Sequence, residues 1–116
     1  MRDELGKKMH IAAFAIKGDV SEADVIRLTD AIVARIGMTK AHSPAIFDYP
    51  FEDKGGLGFT YCQPITESAI LWDSWPDHDG AYLMIHSCKD FNAQDVMEEI
   101  DKTHHATQAY FAVLTL

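Results

Sequence analysis

The sequence predicts an α+β domain in which a largely antiparallel sheet carries two helices on one face. Three observations lead to this fold class. Two segments have apolar residues at the spacing of a helix, and six other segments are short and mostly apolar, as strands are. Along the chain, these predicted elements follow one another in the order β-α-β-β-β-β-α-β. The chain of 116 residues is predicted to form one domain over residues 1–116, long enough to bury a hydrophobic core.

The first predicted strand is the apolar run from Met9 to Lys17, which a Gly-Asp pair ends. Ser21 then has the form of a helix N-cap, with the acidic residue Asp24 three positions later. The helix that follows is predicted to end at Gly37. Its apolar residues recur at helical spacing, at Val25, Leu28, Ile32, Val33 and Ile36.

The central part of the chain predicts two hairpins. Pro44 and Pro50 confine the first of these strands to an edge or a bend, and residues 52–56 form a turn. A second turn contains Asp79-Gly80, a favoured pair in two-residue hairpin loops. The four predicted strands cover residues 43–51, 57–66, 68–75 and 81–88.

A second helix and a closing strand complete the predicted fold. Asn92 is the expected N-cap, and the apolar stripe consists of Val96, Met97 and Ile100. We expect the pair His104-His105 in the last turn of this helix, where a positive charge suits the helix dipole. The closing strand is predicted over residues 108–116.

Composition excludes several classes of protein. The net charge of −8 disfavours nucleic-acid binding, which needs clustered Lys and Arg. No apolar run is long enough to cross a bilayer, and the N-terminus lacks the apolar core of a secretion signal. Two cysteines are too few for a disulfide framework. These features predict a cytoplasmic protein that binds neither nucleic acid nor membrane.

No metal site is predicted, although acidic and histidine residues are frequent between positions 73 and 86. Neither a His-x-x-x-His nor a Cys-x-x-Cys spacing is present, and acidic residues where a strand meets a turn usually serve to form the turn. Cys62 is interpreted as a small buried hydrophobic residue. Trp72 and Trp75 have opposite strand parity, so one is expected in the core and the other at a pocket or interface.

One stretch of the sequence carries a more specific pattern. The pair Glu67-Ser68 opens a predicted strand, the turn Trp75-Pro76-Asp77 follows it, and Cys88 lies near the end of the next strand. In residue order and in the spacing from Ser68 to Cys88, the chain resembles the prokaryotic S-adenosylmethionine decarboxylases, which are pyruvoyl-dependent enzymes. The motif residues lie within residues 67–88, whereas the order of helices and strands agrees over the whole chain. The resemblance also implies a homodimer.

The resemblance implies a role for each of these residues. The hydroxyl of Ser68 would attack the carbonyl of Glu67, and elimination would split the chain there and convert Ser68 into a pyruvoyl cofactor. That group withdraws electrons as carbon dioxide leaves the substrate, and the Cys88 thiol returns a proton. Trp75 and Asp77 would line the nucleoside pocket. The implied activity is decarboxylation of S-adenosylmethionine, or of a related basic amino acid, in polyamine and spermidine synthesis.

The chain departs from the family pattern in three places. The family's processing base is a histidine five residues after the serine, where this chain has Asp73, a weaker base. The residue after the serine, usually histidine, is Ala69, and a serine of the preceding loop has no match in residues 55–58. Two functions therefore stay open. The chain is a self-processing decarboxylase, or an unprocessed, non-catalytic homologue that binds a small ligand or regulates a partner.

Strand geometry adds one prediction that does not depend on the resemblance, and it also supports the homodimer that the resemblance implies. With Asp79-Gly80 as a two-residue loop, Asp73 lies directly opposite His86, and His86 shares a strand face with Cys88. We therefore expect Asp73 and His86 within hydrogen-bond reach of each other, in a polar cluster beside Ser68. A homodimer is also expected, because helices cover only one face of the sheet.

Overall fold

The computed structural model describes residues 7–51 and 56–116, and it confirms the predicted fold class and element order. The helices are α1 (Glu22–Arg35) and α2 (Ala93–Asp101). The strands are β1 (Lys8–Lys17), β2 (Ala45–Phe51), β3 (Gly56–Ile65), β4 (Ser68–Trp75), β5 (Gly80–Ser87) and β6 (His105–Thr115). They form one antiparallel sheet in the order β2-β3-β4-β5-β1-β6.

Helix α1 begins at the predicted N-cap. The Ser21 hydroxyl accepts a hydrogen bond from the Asp24 backbone N–H, and the Asp24 carboxylate accepts one from the Ser21 N–H. This capping box satisfies two N–H groups that the first helical turn leaves without partners. The buried side chains of α1 then pack on the sheet, and Thr29 accepts a 2.9 Å hydrogen bond from the indole N–H of Trp72.

Both helices cover the same face of the sheet, which forms the hydrophobic core. Alternate residues of the central strands are buried there, among them Phe14, Tyr61, Trp72 and Leu83. Trp72 is fully buried whereas Trp75 is 39% exposed, so the two tryptophans do lie on opposite faces. Residues that pair across strands share a face, and the strand register therefore also defines the opposite face.

We call the opposite face the open face, because no described helix covers it. Its residues are mostly apolar or aromatic, and several are well exposed. Exposed apolar groups in one continuous area are typical of an interaction surface. The open face includes Ala13, Phe47, Thr60, Leu71, Asp73, Trp75, Tyr82, Met84, His86, Tyr110 and Leu114.

The turn between β4 and β5 is longer than predicted. Pro76 starts a single 3₁₀ turn, Pro76–His78, and Asp79 takes a left-handed conformation with a φ of 51°, so four residues connect the strands. Gly80 is the first residue of β5 rather than part of the loop. A Cβ atom at Gly80 would lie 2.5 Å from the backbone oxygen of Ile16, which explains why a glycine occupies this position.

The end of α2 was also predicted wrongly. The helix starts after the expected N-cap Asn92, but it ends at Asp101, and His105 already belongs to β6. The carboxylate of Asp101 accepts a hydrogen bond from the N–H of Ala106, which turns the chain into the last strand. His104 lies in the intervening turn, with its Nε2 atom 3.0 Å from the backbone oxygen of Asp19.

Candidate active site

The bond between Glu67 and Ser68 lies at the end of a tight hairpin turn. Ile65 of β3 pairs with Ser68 of β4, so Thr66 and Glu67 form the turn itself. The carbonyl oxygen of Glu67 accepts a 3.0 Å hydrogen bond from the backbone N–H of Cys88. The turn therefore brings the carbonyl that Ser68 would attack against the residue that follows β5.

The segment after α1 holds this turn from the other side. The N–H of Thr39 donates to the Glu67 carboxylate at 3.2 Å, and the Thr39 carbonyl accepts from the N–H of Thr66 at 2.8 Å. Ala41 adds a backbone bond to Pro64. The sequence did not reveal the part played by Thr39, because it is a long-range contact between loops and no periodicity or motif marks it.

Ser68 and Cys88 are adjacent at this end of the sheet. Ser68 pairs with Ser87, the residue directly before Cys88. Both Ser68 and Cys88 are partly buried, and Cys88 is a free thiol, as is the partly buried Cys62. Within the described contacts, no hydrogen bond engages the hydroxyl of Ser68. The structure thus brings together the predicted cleavage site and the predicted proton donor.

Asp73 lies far from Ser68 in the same chain. Five residues of extended strand separate the two, which corresponds to about 16 Å. Asp73 pairs with Tyr82 and with Thr60, and its carboxylate accepts a 2.6 Å hydrogen bond from the Thr60 hydroxyl. Asp73 therefore does not join a cluster beside the Ser68 of its own chain.

The expected contact between Asp73 and His86 is wrong. Because the loop after β4 has four residues, His86 pairs with Ala69, about 13 Å along the sheet from Asp73. Both side chains do lie on the open face, as strand parity predicted. The Nε2 atom of His86 lies 2.9 Å from the sulfur of Met84. His86 thus flanks the Ser68 end of the sheet without a described contact to Ser68.

Trp75 lies at the far end of β4, seven residues and about 23 Å from Ser68. Its ring centroid is 6.3 Å from that of Tyr82 at an interplanar angle of 72°, and 6.0 Å from that of His78. These three rings line a cavity of about 140 Å³ that Lys17 also borders. The other predicted substrate residue, Asp77, lies in the 3₁₀ turn beside this cavity.

Tyr82 is a site residue that the sequence analysis missed. The sequence could have indicated its position, because Tyr82, Met84 and His86 alternate along one strand and so share a face. Ser68 pairs with the buried Ser87 and so takes the parity of the helix-covered face, whereas Asp73 and His86 lie on the open face. The candidate site residues form two groups at opposite ends of the sheet. We call them the cleavage end (Ser68, His86 and Cys88) and the aromatic end (Asp73, Trp75 and Tyr82).

Residues 7–51 and 56–116 offer neither a metal site nor a membrane-spanning helix. No three His, Cys, Asp or Glu side chains there are grouped so that they could hold a metal ion. No helix in that part of the chain is long and apolar enough to cross a membrane.

Comparison with known proteins identifies the family. A crystal structure of the adenosylmethionine decarboxylase from Aquifex aeolicus VF5 has the same fold, with a TM-score of 0.65 at 22% sequence identity. The match covers 94% of this chain and 89% of that chain. No curated protein sequence is significantly similar to this chain. The model of the S-adenosylmethionine decarboxylase family matches residues 19–115, and the chain therefore belongs to that family.

Proposed function

We propose that the chain is a cytoplasmic, pyruvoyl-dependent decarboxylase that forms its cofactor by cleaving itself between Glu67 and Ser68. Its substrate would be S-adenosylmethionine or a related basic amino acid, and its product would serve polyamine synthesis. The observation that carries this proposal is the 3.0 Å hydrogen bond from the Cys88 N–H to the Glu67 carbonyl oxygen. That carbonyl is the group on which self-cleavage must begin.

Self-cleavage starts when the Ser68 hydroxyl adds to the Glu67 carbonyl carbon, which places negative charge on the carbonyl oxygen. A backbone N–H already directed at that oxygen stabilises the charge as it develops. Loss of the amide nitrogen converts the peptide bond into an ester. Removal of the Ser68 α-proton then expels the Glu67 carboxylate, and hydrolysis of the resulting enamine releases ammonia and leaves a pyruvoyl group at residue 68.

The residues around position 68 fit such a group. It would begin β4, where the ladder to Ser87 and Ile65 holds the strand in place after the chain is cut. The pyruvoyl group supplies an electron sink for loss of carbon dioxide. Cys88 is the group that would deliver a proton to the substrate carbon, because its thiol is partly buried and its backbone already contacts residue 67.

The distance between the aromatic end and the cleavage end supports the proposal that a complete site needs two chains. In one chain, about 23 Å separates Trp75 from Ser68. We propose a homodimer in which the open faces pack together around a two-fold axis perpendicular to the strands. The aromatic end of one protomer would then lie over the cleavage end of its partner. The same arrangement would remove the exposed apolar groups of the open face from water.

Aromatic rings and carboxylates at the aromatic end suit this substrate class. A sulfonium or amine cation is attracted to the faces of Trp75 and Tyr82, and purine rings stack on aromatic side chains. The carboxylate of Asp73 lies on the same face and in the row next to Trp75. Asp77 is the residue proposed to accept a ribose hydroxyl.

One observation favours the second candidate, an unprocessed homologue that binds a ligand or regulates a partner. In a single chain, Asp73 is bound by Thr60 and His86 lies against Met84, so neither is a base poised at Ser68. A chain that stays a monomer would therefore lack the group that removes the Ser68 proton.

Intact-mass spectrometry of the purified protein distinguishes the two functions. A decarboxylase is expected as two fragments, residues 1–67 and residues 68–116, the second with a pyruvoyl N-terminus. Ser68→Ala is the matched control and should stay a single chain. Release of labelled carbon dioxide from carboxyl-labelled S-adenosylmethionine, compared with basic amino acids, then identifies the substrate. A parent protein that remains intact after prolonged incubation would rule out the self-processing enzyme.

A further inference from the structure

The last strand of the sheet has an unusual exposed edge. β6 forms one border of the sheet and, among the described residues, pairs only with β1. It is 11 residues long, and residues 106–116 contain no charged side chain although the chain has a net charge of −8. Large apolar side chains are exposed on both of its faces, namely Tyr110, Phe111, Val113 and Leu114.

The opposite border of the sheet is better protected. Edge strands expose unpaired N–H and C=O groups, and proteins usually limit pairing there with short strands, charges or proline. β2 has seven residues and contains both Asp48 and Pro50. β6 has none of these features, so its edge is the one suited to accept another strand.

We propose that β6 pairs antiparallel with β6 of a second copy of this chain, which would join two six-stranded sheets into one. Antiparallel pairing of identical strands satisfies both edges under a two-fold axis. Two chains that each carry eight net negative charges repel least where the contact segment is uncharged. Pairing would also place apolar side chains of the two copies beside one another on both faces of the joined sheet. These side chains are Tyr110 and Leu114 on one face and Phe111 and Val113 on the other.

An irregularity in β6 limits the paired region. Tyr110 lies opposite Ala13 and Gln108 lies opposite Phe14, so Ala109 is an extra residue at a bulge. A bulge interrupts the regular ladder of hydrogen bonds. Pairing is therefore expected over residues 110–115. This contact uses the edge of the sheet rather than the open face, and it does not depend on the proposed decarboxylase activity.

Light scattering on matched variants tests the edge pairing. Val113 and Ile46 are β-branched residues on the helix-covered side of the two border strands, 46% and 37% exposed. Because lysine blocks strand addition, Val113→Lys should lower the molar mass of the parent assembly twofold, whereas Ile46→Lys should leave it unchanged. The proposal is overturned if Val113→Lys keeps the mass of the parent, if both variants lower it equally, or if the parent is a monomer at micromolar concentration.

Hydrogen exchange of the unmodified protein provides a test that does not rely on a variant remaining folded. Amides of residues 110–115 that point away from β1 should be protected at high protein concentration and should lose that protection on dilution. Protection that does not change with concentration would overturn pairing with a second copy. If the open faces also pack together, the parent would be a tetramer and Val113→Lys a dimer. If they do not, the parent would be a dimer and the variant a monomer.

Discussion

The backbone N–H of Cys88 lies 3.0 Å from the carbonyl oxygen of Glu67, so one residue contacts the cleavage site through its backbone and presents a thiol through its side chain. The two groups serve different steps of the proposed function. The N–H would stabilise charge during self-cleavage, and the thiol would deliver a proton during decarboxylation. Because a side-chain substitution alters only the second group, the two steps should be separable by mutation.

Cys88→Ala should cleave its chain at the rate of the parent, since the backbone N–H is retained. Its release of carbon dioxide from the substrate should fall by about 10²-fold or more, as expected when a general acid is lost. Intact-mass spectrometry follows the cleavage, and a labelled-substrate assay follows the decarboxylation. Cys62→Ala is the control, because Cys62 is the other free cysteine and has no role in either step. A Cys88→Ala chain that no longer cleaves would contradict the assignment of the first step to the backbone.

The distance of about 16 Å between Asp73 and Ser68 of one chain leads to a second prediction. If Asp73 acts from the partner subunit, Asp73→Ala and Ser68→Ala chains should each remain intact when produced alone. Mixed dimers should cleave the Asp73→Ala chain, because its Ser68 then faces an intact Asp73. Co-expression of two differently tagged variants, followed by mass spectrometry, measures this. Rapid cleavage of the Asp73→Ala protein alone would show that Asp73 is not required.

Asp73→His restores the residue that the family uses at this position, and we expect it to accelerate self-cleavage. Imidazole is a stronger base than a carboxylate near neutral pH, and its longer side chain extends further from the open face. The rate of fragment formation, measured between pH 6 and pH 8, checks this. Asp73→Asn is the matched control and should slow cleavage. Equal rates for all three proteins would argue that Ala69 and the altered glycine loop limit the reaction instead.

Much of the fold could be predicted from local signals. The N-cap at Ser21, the apolar periodicity of α1 and the alternation in β4 and β5 all depend on neighbouring residues, and each was found where expected. Strand parity also predicted that Asp73 and His86 lie on the same face of the sheet. The loop is two residues longer than expected, but a change of two residues does not alter the face on which a side chain lies.

The parts that could not be predicted depend on geometry beyond the local sequence. Asp79-Gly80 indicated a two-residue turn, but Pro76 favours a 3₁₀ turn, and close approach to Ile16 makes Gly80 a strand residue. That difference shifts the register and moves His86 away from Asp73. The bond between Thr39 and Glu67 joins two loops that no sequence periodicity relates. Strand parity therefore predicted the face that Asp73 and His86 share, whereas the distances between the candidate residues depend on loop geometry that the local sequence does not determine.

Thr29→Val should destabilise the fold by removing a buried hydroxyl that hydrogen-bonds Trp72 and also Tyr61. The Thr29 hydroxyl accepts from the indole N–H of Trp72 at 2.9 Å, and neither residue is exposed. Valine has nearly the same shape and leaves that donor without a partner, at a cost of about 1–3 kcal/mol in the free energy of unfolding. Urea denaturation of the parent and the variant measures it. In a double-mutant cycle with Trp72→Phe, the two losses should be less than additive, and additive losses would contradict the pairing.

The last prediction concerns the ion pairs between the helices. Glu99 of α2 accepts hydrogen bonds from Lys102 at 3.1 and 3.0 Å and from Arg35 of α1 at 2.9 Å. The hydrogen bond from Lys102, with that from Arg35, lowers the pKa of the Glu99 carboxyl below its ordinary value of 4.5. The folded protein therefore binds a proton at the Glu99 carboxylate more weakly than the unfolded chain does. Glu99 thus contributes to stability above about pH 4.5, and the contribution is lost as the pH falls through the lowered pKa.

Glu99→Gln should accordingly be less stable than the parent at pH 7, and the difference should shrink as the pH falls below about 4.5 and the carboxyl of the parent takes up its proton. Denaturant unfolding at a series of pH values measures the difference. Glu98→Gln is the matched control, because Glu98 also binds Arg35, at 2.7 Å, but is 48% exposed and so should contribute less. A stability difference for Glu99→Gln that is the same at pH 3 and pH 7 would mean that the charge of Glu99 does not link the helices.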